Sequence, residues 1–116
     1  FHPAVLRSVK RIIECAKREN IEVGMCGEAA GNPAMIPLLL AFGLDEFSVT
    51  ASKVLETRKN IASWTMKEAA AVTGRVMGMR TEKEVSAYRS DCILKLKILH
   101  TDICAAGSTN IFLSQD

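Results

Sequence analysis

One cysteine, Cys26, lies in a setting where a thiol can do chemistry. Glycines stand two positions before it and directly after it, and the carboxylate of Glu28 follows, within the run GMCGEAAG. A cysteine at the carboxyl end of a strand lies where α/β folds place their active sites, and the glycines let a ligand approach the backbone closely. Free cysteine is also a common buried residue, so an inert packing role for Cys26 is the alternative at this point.

The residues before Cys26 predict a helix and a strand that position it. Apolar residues recur at helical spacing over residues 3–19, with Pro3 at the helix start and Asn20 as a left-handed stop. Residues 21–26 are short and alternating, which is typical of a strand, and residues 27–31 are expected to form a glycine-bounded loop.

A second unit of similar length follows. Asn32 and Pro33 are a good start for a helix over residues 34–42, and Gly43 stands at the usual place for its end. Residues 46–50 predict the second strand, and residues 52–64 predict another amphipathic helix. The face predicted to be apolar in that helix contains Val54, Leu55, Arg58, Ile61 and Ala62.

Two capping-box patterns predict two further helices. Thr65 precedes Glu68 by three positions, and Thr81 precedes Glu84 by the same interval. The first helix is expected over residues 66–77, ending near Gly78, and the second over residues 82–97. The apolar residues of 98–116 show no regular spacing. We therefore divide the chain into a folded portion, 1–97, and a tail of uncertain origin, 98–116.

The order of these elements predicts an α/β fold. Two strands that alternate with helices favour parallel pairing through a right-handed crossover. Parallel sheets normally have several strands and are covered by helices on both faces. The sequence therefore predicts a piece of a larger α/β structure.

Composition excludes several classes of function. The net charge of +2 is too small to attract nucleic acid or an anionic membrane surface. The longest uncharged run, residues 29–44, contains two prolines and two glycines, so no membrane span is expected. No Cys-x-x-Cys pair and no signal-peptide pattern occur, which favours a cytoplasmic protein with reduced thiols.

Several motifs in order carry a resemblance to a known family. They are His2-Pro3-Ala4-Val5-Leu6-Arg7, Gly24-Met25-Cys26-Gly27-Glu28, Leu38-Leu39-Leu40 and Gly43-Leu44-Asp45-Glu46-Phe47-Ser48-Val49-Thr50-Ala51. Together they resemble the C-terminal part of the Enzyme I family, the phosphoenolpyruvate (PEP)-protein phosphotransferases of bacterial sugar phosphotransferase systems. The resemblance covers roughly residues 1–97.

The resemblance implies a fold and a reaction. It implies that the chain is the last two β/α units, with closing helices, of a PEP-binding (β/α)₈ TIM barrel, and thus an incomplete barrel. In this family PEP and Mg²⁺ bind at the carboxyl face of the barrel, and the phosphoryl group moves to a histidine on a separate domain and then to a phosphocarrier protein. The Mg²⁺ ligands, the phosphate-binding arginines and the phosphoacceptor histidine would lie outside this chain, which alone is expected to be inactive.

The resemblance also implies site residues. The cysteine matching Cys26 is the general acid that protonates the methylene carbon of enolpyruvate, and a thiol is a suitable proton donor near neutral pH. Gly27 and Glu28 are the candidate substrate-binding residues. The residues alone favour a loop-forming role for Gly27 and a role for Glu28 in fixing the loop through backbone hydrogen bonds. Ser48, Thr50 and Ser52 end the second strand, but hydroxyls are common there for capping alone, and we do not assign them as ligands.

Three alternatives remain open from the sequence. A pyruvate phosphate dikinase or PEP synthase fragment shares a similar Gly-x-Cys-Gly-Glu run. A non-catalytic dimerisation module is the second, because the resemblance implies that family barrels form homodimers and because the apolar faces at 38–42 and 54–61 are expected to lack their neighbours in this chain. A redox-sensing role for Cys26 lacks an obvious resolving cysteine. Cys15 and Cys92 are expected to be structural, and His2 and His100 solvated or incidental. Cys104 lies in the tail of uncertain origin.

Overall fold

The computed structural model of the chain describes residues 2–88, which form two helix–strand units followed by further helices. The elements are α1 (Pro3–Arg18), β1 (Gly24–Cys26), α2 (Glu28–Gly31), α3 (Ile36–Phe42), β2 (Glu46–Ser48), a 3₁₀ turn (Ala51–Lys53), α4 (Val54–Ala62), α5 (Met66–Met77) and α6 (residues 82–88). The rest of the helix expected over 82–97, and the tail expected over 98–116, lie outside the described residues.

The two strands pair in parallel, as predicted. Gly24, Met25 and Cys26 align with Glu46, Phe47 and Ser48, respectively. Among the described residues this sheet has two strands, which makes the region a mixed, largely helical α/β arrangement. The carboxyl ends of both strands therefore lie side by side.

Each strand follows a helix that ends in the same way. After α1, Asn20 is left-handed (φ 56°) and the Ile21 amide donates to the Ala16 carbonyl oxygen at 2.9 Å. After α3, Gly43 is left-handed (φ 86°) and the Leu44 amide donates to the Leu39 carbonyl oxygen at 3.0 Å. These are Schellman closures, and they confirm both predicted helix stops.

The closure after α1 removes the first predicted residue, Ile21, from strand β1. Ile21 uses its amide to close α1, so it cannot donate that amide to a neighbouring strand. The strand expected over 21–26 is reduced to Gly24–Cys26, and the one expected over 46–50 to Glu46–Ser48. Helix capping competes here with strand pairing for the same backbone groups.

Two local predictions are wrong. The loop expected over 27–31 contains a helical turn, α2, which begins directly after Gly27. The helix expected from residue 34 is regular only from Ile36, because Pro37 has no amide to donate to the preceding turn. Asn32 still caps that turn, and its Oδ1 accepts from the Ala34 amide at 3.0 Å.

The capping-box prediction for α5 is confirmed. The Thr65 amide donates to the Glu68 carboxylate at 3.0 Å, and the Glu68 amide donates to Thr65 Oγ1 at 3.3 Å. The pKa of Glu68 is lowered, first by the hydrogen bond from the Thr65 hydroxyl and then by that from its amide. Helix α5 covers Met66–Met77 and ends at Gly78, as predicted.

The predicted capping box of α6 forms in a modified way. The Glu84 amide donates to Thr81 Oγ1 at 3.3 Å, as expected. The Glu84 carboxylate, however, accepts from the amide of Arg80 at 2.9 Å, one residue before the predicted donor. That bond lowers the pKa of Glu84.

The core lies between the helices and one face of the strands. Helices α1, α3 and α5 contact one another, and Met25 and Phe47 from the strands pack against the same cluster. The buried hydrophobic side chains of this cluster are Leu6, Ile13, Met35, Leu38, Leu39, Phe42, Leu44, Val76 and Val85. The helical layer thus covers only one face of the two-stranded sheet.

The two faces expected to lack neighbours differ. Leu38, Leu39 and Phe42 are buried against the other helices, so the prediction that they are unpartnered is wrong. In α4 the residue that is buried is the polar Thr57, whereas Leu55 is 79% exposed. Within the described residues, the apolar face predicted for α4 therefore faces outward.

No helix within residues 2–88 is both long enough and apolar enough to cross a membrane.

Candidate active site

The candidate site lies on the open face of the β1–β2 ribbon, at its carboxyl end. Side chains alternate across a strand, so Met25 and Phe47 point toward the helices while their neighbours face away. Cys26 and Ser48 form an aligned pair on the open face, and both are exposed. Among the described residues, the Cys26 side chain is therefore accessible from this open face.

A depression of about 290 Å³ surrounds this pair. Segments following both strands form its walls. The lining residues are Cys26, Gly27, Glu28, Gly31, Asn32, Pro33, Ser48, Val49, Thr50, Lys53 and Glu56. A concave surface with a thiol, hydroxyls and charged groups converging on it is typical of a ligand site.

Gly27 shapes the loop that carries the thiol. Its φ of 84° and ψ of −161° lie in a region that is accessible almost only to glycine. Its amide donates to the Ser48 carbonyl oxygen at 3.2 Å, which ties the loop to β2. A Cβ at this position would meet no atom within 4 Å, so the requirement for glycine is conformational rather than steric.

A cation and two carboxylates line the cavity. Lys53 Nζ lies 2.8 Å from Glu56 Oε2, and Glu28 stands on the opposite wall, after β1. The hydrogen bond to Glu56, its charge and then the charge of Glu28 raise the pKa of Lys53. Lys53 is therefore fully protonated near neutral pH.

The opposite end of the ribbon is held by a different charged group. Asp45 accepts the Val23 amide at 2.9 Å through Oδ2 and is hydrogen-bonded to Lys17 through Oδ1. The Asp45 amide in turn donates to the Val23 carbonyl oxygen at 3.0 Å. The hydrogen bond from Lys17, followed by that from Val23, lowers the pKa of Asp45.

The three site residues that the sequence predicts are consecutive, and all three border the cavity. Cys26, Gly27 and Glu28 line the same cavity. Cys15 is exposed on α1 and is not among the lining residues, and His2 caps α1 by accepting the Ala4 amide at its Nδ1. Cys92, His100 and Cys104 lie outside the described residues.

Sequence reasoning missed the contribution of the segment after β2. Ser48 and Thr50, set aside as capping hydroxyls, line the cavity together with Lys53 and Glu56. The predicted parallel pairing of the two strands could have identified these residues as lining the cavity. Once Cys26 and Ser48 are expected to end neighbouring parallel strands, the residues that follow Ser48 must lie beside the residues that follow Cys26.

The described residues do not form a site for a metal ion. Over residues 2–88, no group of three or more His, Cys, Asp or Glu side chains is arranged to hold one. No step of the reaction is therefore assigned to a Mg²⁺ ion held by these residues.

Comparison with known proteins gives a family for the part of the chain that contains the cavity. Residues 1–66 match the family described as PEP-utilising enzyme, PEP-binding domain. Phosphoenolpyruvate-protein phosphotransferase of Geobacillus stearothermophilus is 43% identical over 88 residues, and that of Bacillus subtilis is 42% identical over 88 residues. Each of these matches covers 76% of this chain.

A relative of the same name from Staphylococcus aureus is 41% identical over 85 residues, or 73% of this chain. The chain spans about 15% of the length of these curated relatives. Their shared name confirms the resemblance to the Enzyme I family. Because the match over residues 1–66 covers more than half of the 116 residues, this chain belongs to the PEP-binding domain family of PEP-utilising enzymes.

Proposed function

We propose that this chain is the C-terminal part of the PEP-binding domain of an Enzyme I-type phosphotransferase, in which Cys26 donates the proton that turns enolpyruvate into pyruvate. The observation that carries the proposal is the exposed Cys26 thiol at the carboxyl end of a parallel strand, inside a cavity. That cavity lies wholly within the part of the chain that matches the PEP-binding family.

The proposed reaction consists of phosphoryl transfer followed by protonation of the enolate. The bond between phosphorus and the enol oxygen of PEP breaks, and the phosphoryl group passes to a histidine nitrogen on another domain of the longer protein. The enolate left behind forms a C–H bond at its methylene carbon with the proton of the Cys26 thiol. The resulting thiolate regains a proton from solvent, and the reverse reaction uses that thiolate as the base.

The other predicted site residues have supporting roles in this proposal. Gly27 gives the loop a backbone shape that directs the Cys26 side chain into the cavity. Glycine is needed there because other residues rarely adopt this conformation. Glu28 lines the cavity and contributes negative charge near Lys53. We assign Glu28 to substrate positioning rather than to proton transfer.

The fold proposed for the longer protein is a (β/α)₈ barrel. In this chain the helices cover one face of the parallel ribbon and leave the face of Cys26 open. Parallel sheets are normally buried on both faces, so further strands are expected to cover the open face. Active sites of such barrels lie at the carboxyl ends of the strands, where the cavity is found.

The proposal implies a cofactor and partners outside the described residues. Mg²⁺, a phosphohistidine domain and a phosphocarrier protein would act with the longer protein, which we place in the cytoplasm. The names of the relatives favour this function over the dikinase alternative. Exposure of Val54 and Leu55 on α4 favours a second candidate function, association with another copy as a homodimer.

The test uses a chimera in which this chain replaces the matched 88 residues of the Geobacillus stearothermophilus relative. We expect PEP-dependent phosphorylation of a histidine in the chimera, and a fall of about 100-fold or more in Cys26→Ala, the usual range for loss of a general acid. Cys15→Ala, on α1 away from the cavity, is the matched control and should keep its activity. Equal activity of both variants would contradict the role given to Cys26.

A further inference from the structure

We propose that Lys53 is a binding contact for a small carboxylate or phosphate anion in the Cys26 cavity, and that Glu56 holds the Lys53 side chain when no anion is bound. The proposal deepens the function proposed above, on which it rests, because such an anion would be part of PEP or pyruvate. It adds a substrate contact supplied by the segment after β2, the wall that faces Cys26.

The position of Lys53 supports this role. It is the last residue of the 3₁₀ turn that follows β2, and it lines the same cavity as the thiol. Of the side chains that line this cavity in the described part of the chain, Lys53 alone is cationic. The hydroxyl groups of Ser48 and Thr50, on the same wall, are further donors for an oxyanion.

The bond that holds Lys53 is easily exchanged. The Lys53 and Glu56 side chains are 55% and 51% exposed, and an ion pair as exposed as this one contributes little to stability. An arriving anion can replace the Glu56 carboxylate as the partner of Nζ while Glu56 turns to solvent. Glu28 is the other charged group of the cavity, and its negative charge opposes the anion while helping to keep Lys53 protonated.

The first test compares the alkylation of Cys26 by an anionic and a neutral reagent in the 116-residue chain. Iodoacetate is negatively charged and iodoacetamide is neutral, so the ratio of their rates reports the charge around the thiol. The fraction of thiolate affects both rates equally and cancels. Peptide mass spectrometry separates Cys26 from the other cysteines, and Cys15 on α1 is the internal reference.

The expected changes have opposite signs in two variants. Lys53→Gln should lower the iodoacetate-to-iodoacetamide ratio at Cys26 roughly threefold, the effect of one unit charge several ångströms away in a water-like medium. Glu56→Gln should raise it by a similar factor, and Lys59→Gln, one lysine further along and outside the cavity, should leave it unchanged. Both effects should shrink between about 10 mM and about 1 M salt, where the Debye length falls from ~30 Å to ~3 Å.

The second test measures the anion itself. Pyruvate or inorganic phosphate should slow the reaction of Cys26 with iodoacetamide, and Lys53→Gln should need several times more anion for the same protection. Protection by pyruvate alone assigns the contact to a carboxylate, and protection by phosphate alone assigns it to a phosphoryl group. Failure of both anions to protect, or an unchanged ratio in Lys53→Gln, would overturn the proposal.

Neither test requires turnover. The outcome for Lys53 is therefore independent of whether Cys26 donates a proton in the longer protein. A chimera that fails in catalysis would not alter the alkylation ratio, and an unchanged ratio would not alter the result for Cys26→Ala.

Discussion

The two ends of the β1–β2 ribbon use charged side chains in opposite ways. At the amino end, Asp45 bonds both the Val23 amide and Lys17, so its carboxylate joins α1, β1 and β2. At the carboxyl end, the Lys53 side chain bonds Glu56, a neighbour on its own segment, while the thiol of Cys26 is exposed. The charged groups at the amino end hold the strands together, whereas Lys53 and Cys26 at the carboxyl end are accessible to a ligand.

The difference extends to the backbone. Gly43, at the amino end, has the left-handed conformation that a Schellman closure requires. Asn20 adopts the same conformation at the equivalent place after α1. Gly27, at the carboxyl end, has a conformation that is accessible almost only to glycine. Strain of this kind is concentrated at functional sites, and here it lies directly after Cys26.

Replacing either of these glycines by alanine should give the largest loss of stability. Gly27→Ala should destabilise the chain by about 1–3 kcal/mol, since alanine must adopt the strained conformation or move the loop. Gly43→Ala should cost about 1–2 kcal/mol, the usual penalty for a left-handed residue. Urea unfolding of the 116-residue chain, followed by the fluorescence of Trp64, measures both.

Gly74→Ala is the matched control for these two substitutions. Gly74 lies inside α5, where a Cβ would meet no atom within 4 Å, so alanine should stabilise by about 0.5–1 kcal/mol through helix propensity. A loss at Gly74 equal to that at Gly27 would show that the effect comes from substitution in general. The conformational requirement for glycine at positions 27 and 43 would then be contradicted.

Acid should weaken the amino end of the ribbon selectively. The pKa of Asp45 is lowered from 3.8 in the folded state, so its contribution is fully present above the unfolded value. That contribution is lost as the pH falls below about 4 and through the lower folded pKa. We expect wild type to be more stable than Asp45→Asn at pH 7, and the difference in melting temperature to disappear as the pH falls to about 2.

The control for this prediction is Glu56→Gln at the carboxyl end. Its pair with Lys53 is half exposed and lies within one segment, so its removal should change the melting temperature little at any pH. A pH dependence in Glu56→Gln as large as that in Asp45→Asn would contradict the division of roles between the two ends.

Much of the fold could be predicted because local rules decide it. The stops at Asn20 and Gly43, the capping box of Thr65 and the extent of α5 follow from residue types at fixed spacing. The strand lengths and the start of α3 could not be predicted in the same way. They depend on which acceptor a backbone amide bonds, as at Ile21, and on whether the residue has an amide hydrogen at all, as at Pro37.

The candidate site shows the same limit. Cys26, Gly27 and Glu28 are recognisable because they form one short run in the sequence. Lys53 and Glu56 are far from that run, and an exposed lysine with a glutamate three residues later is typical of any helix surface. Only the parallel alignment of Cys26 with Ser48 brings the two segments to one cavity.

Hydrogen exchange at the methyl group of pyruvate most directly tests whether Cys26 is the proton donor. The chimera is incubated with pyruvate and Mg²⁺ in deuterated water, and loss of the methyl proton signal is followed by NMR. We predict exchange with Cys26 present and none above background in Cys26→Ala, with Cys15→Ala exchanging as the parent does. Undiminished exchange in Cys26→Ala would contradict the assignment of this thiol as the proton donor.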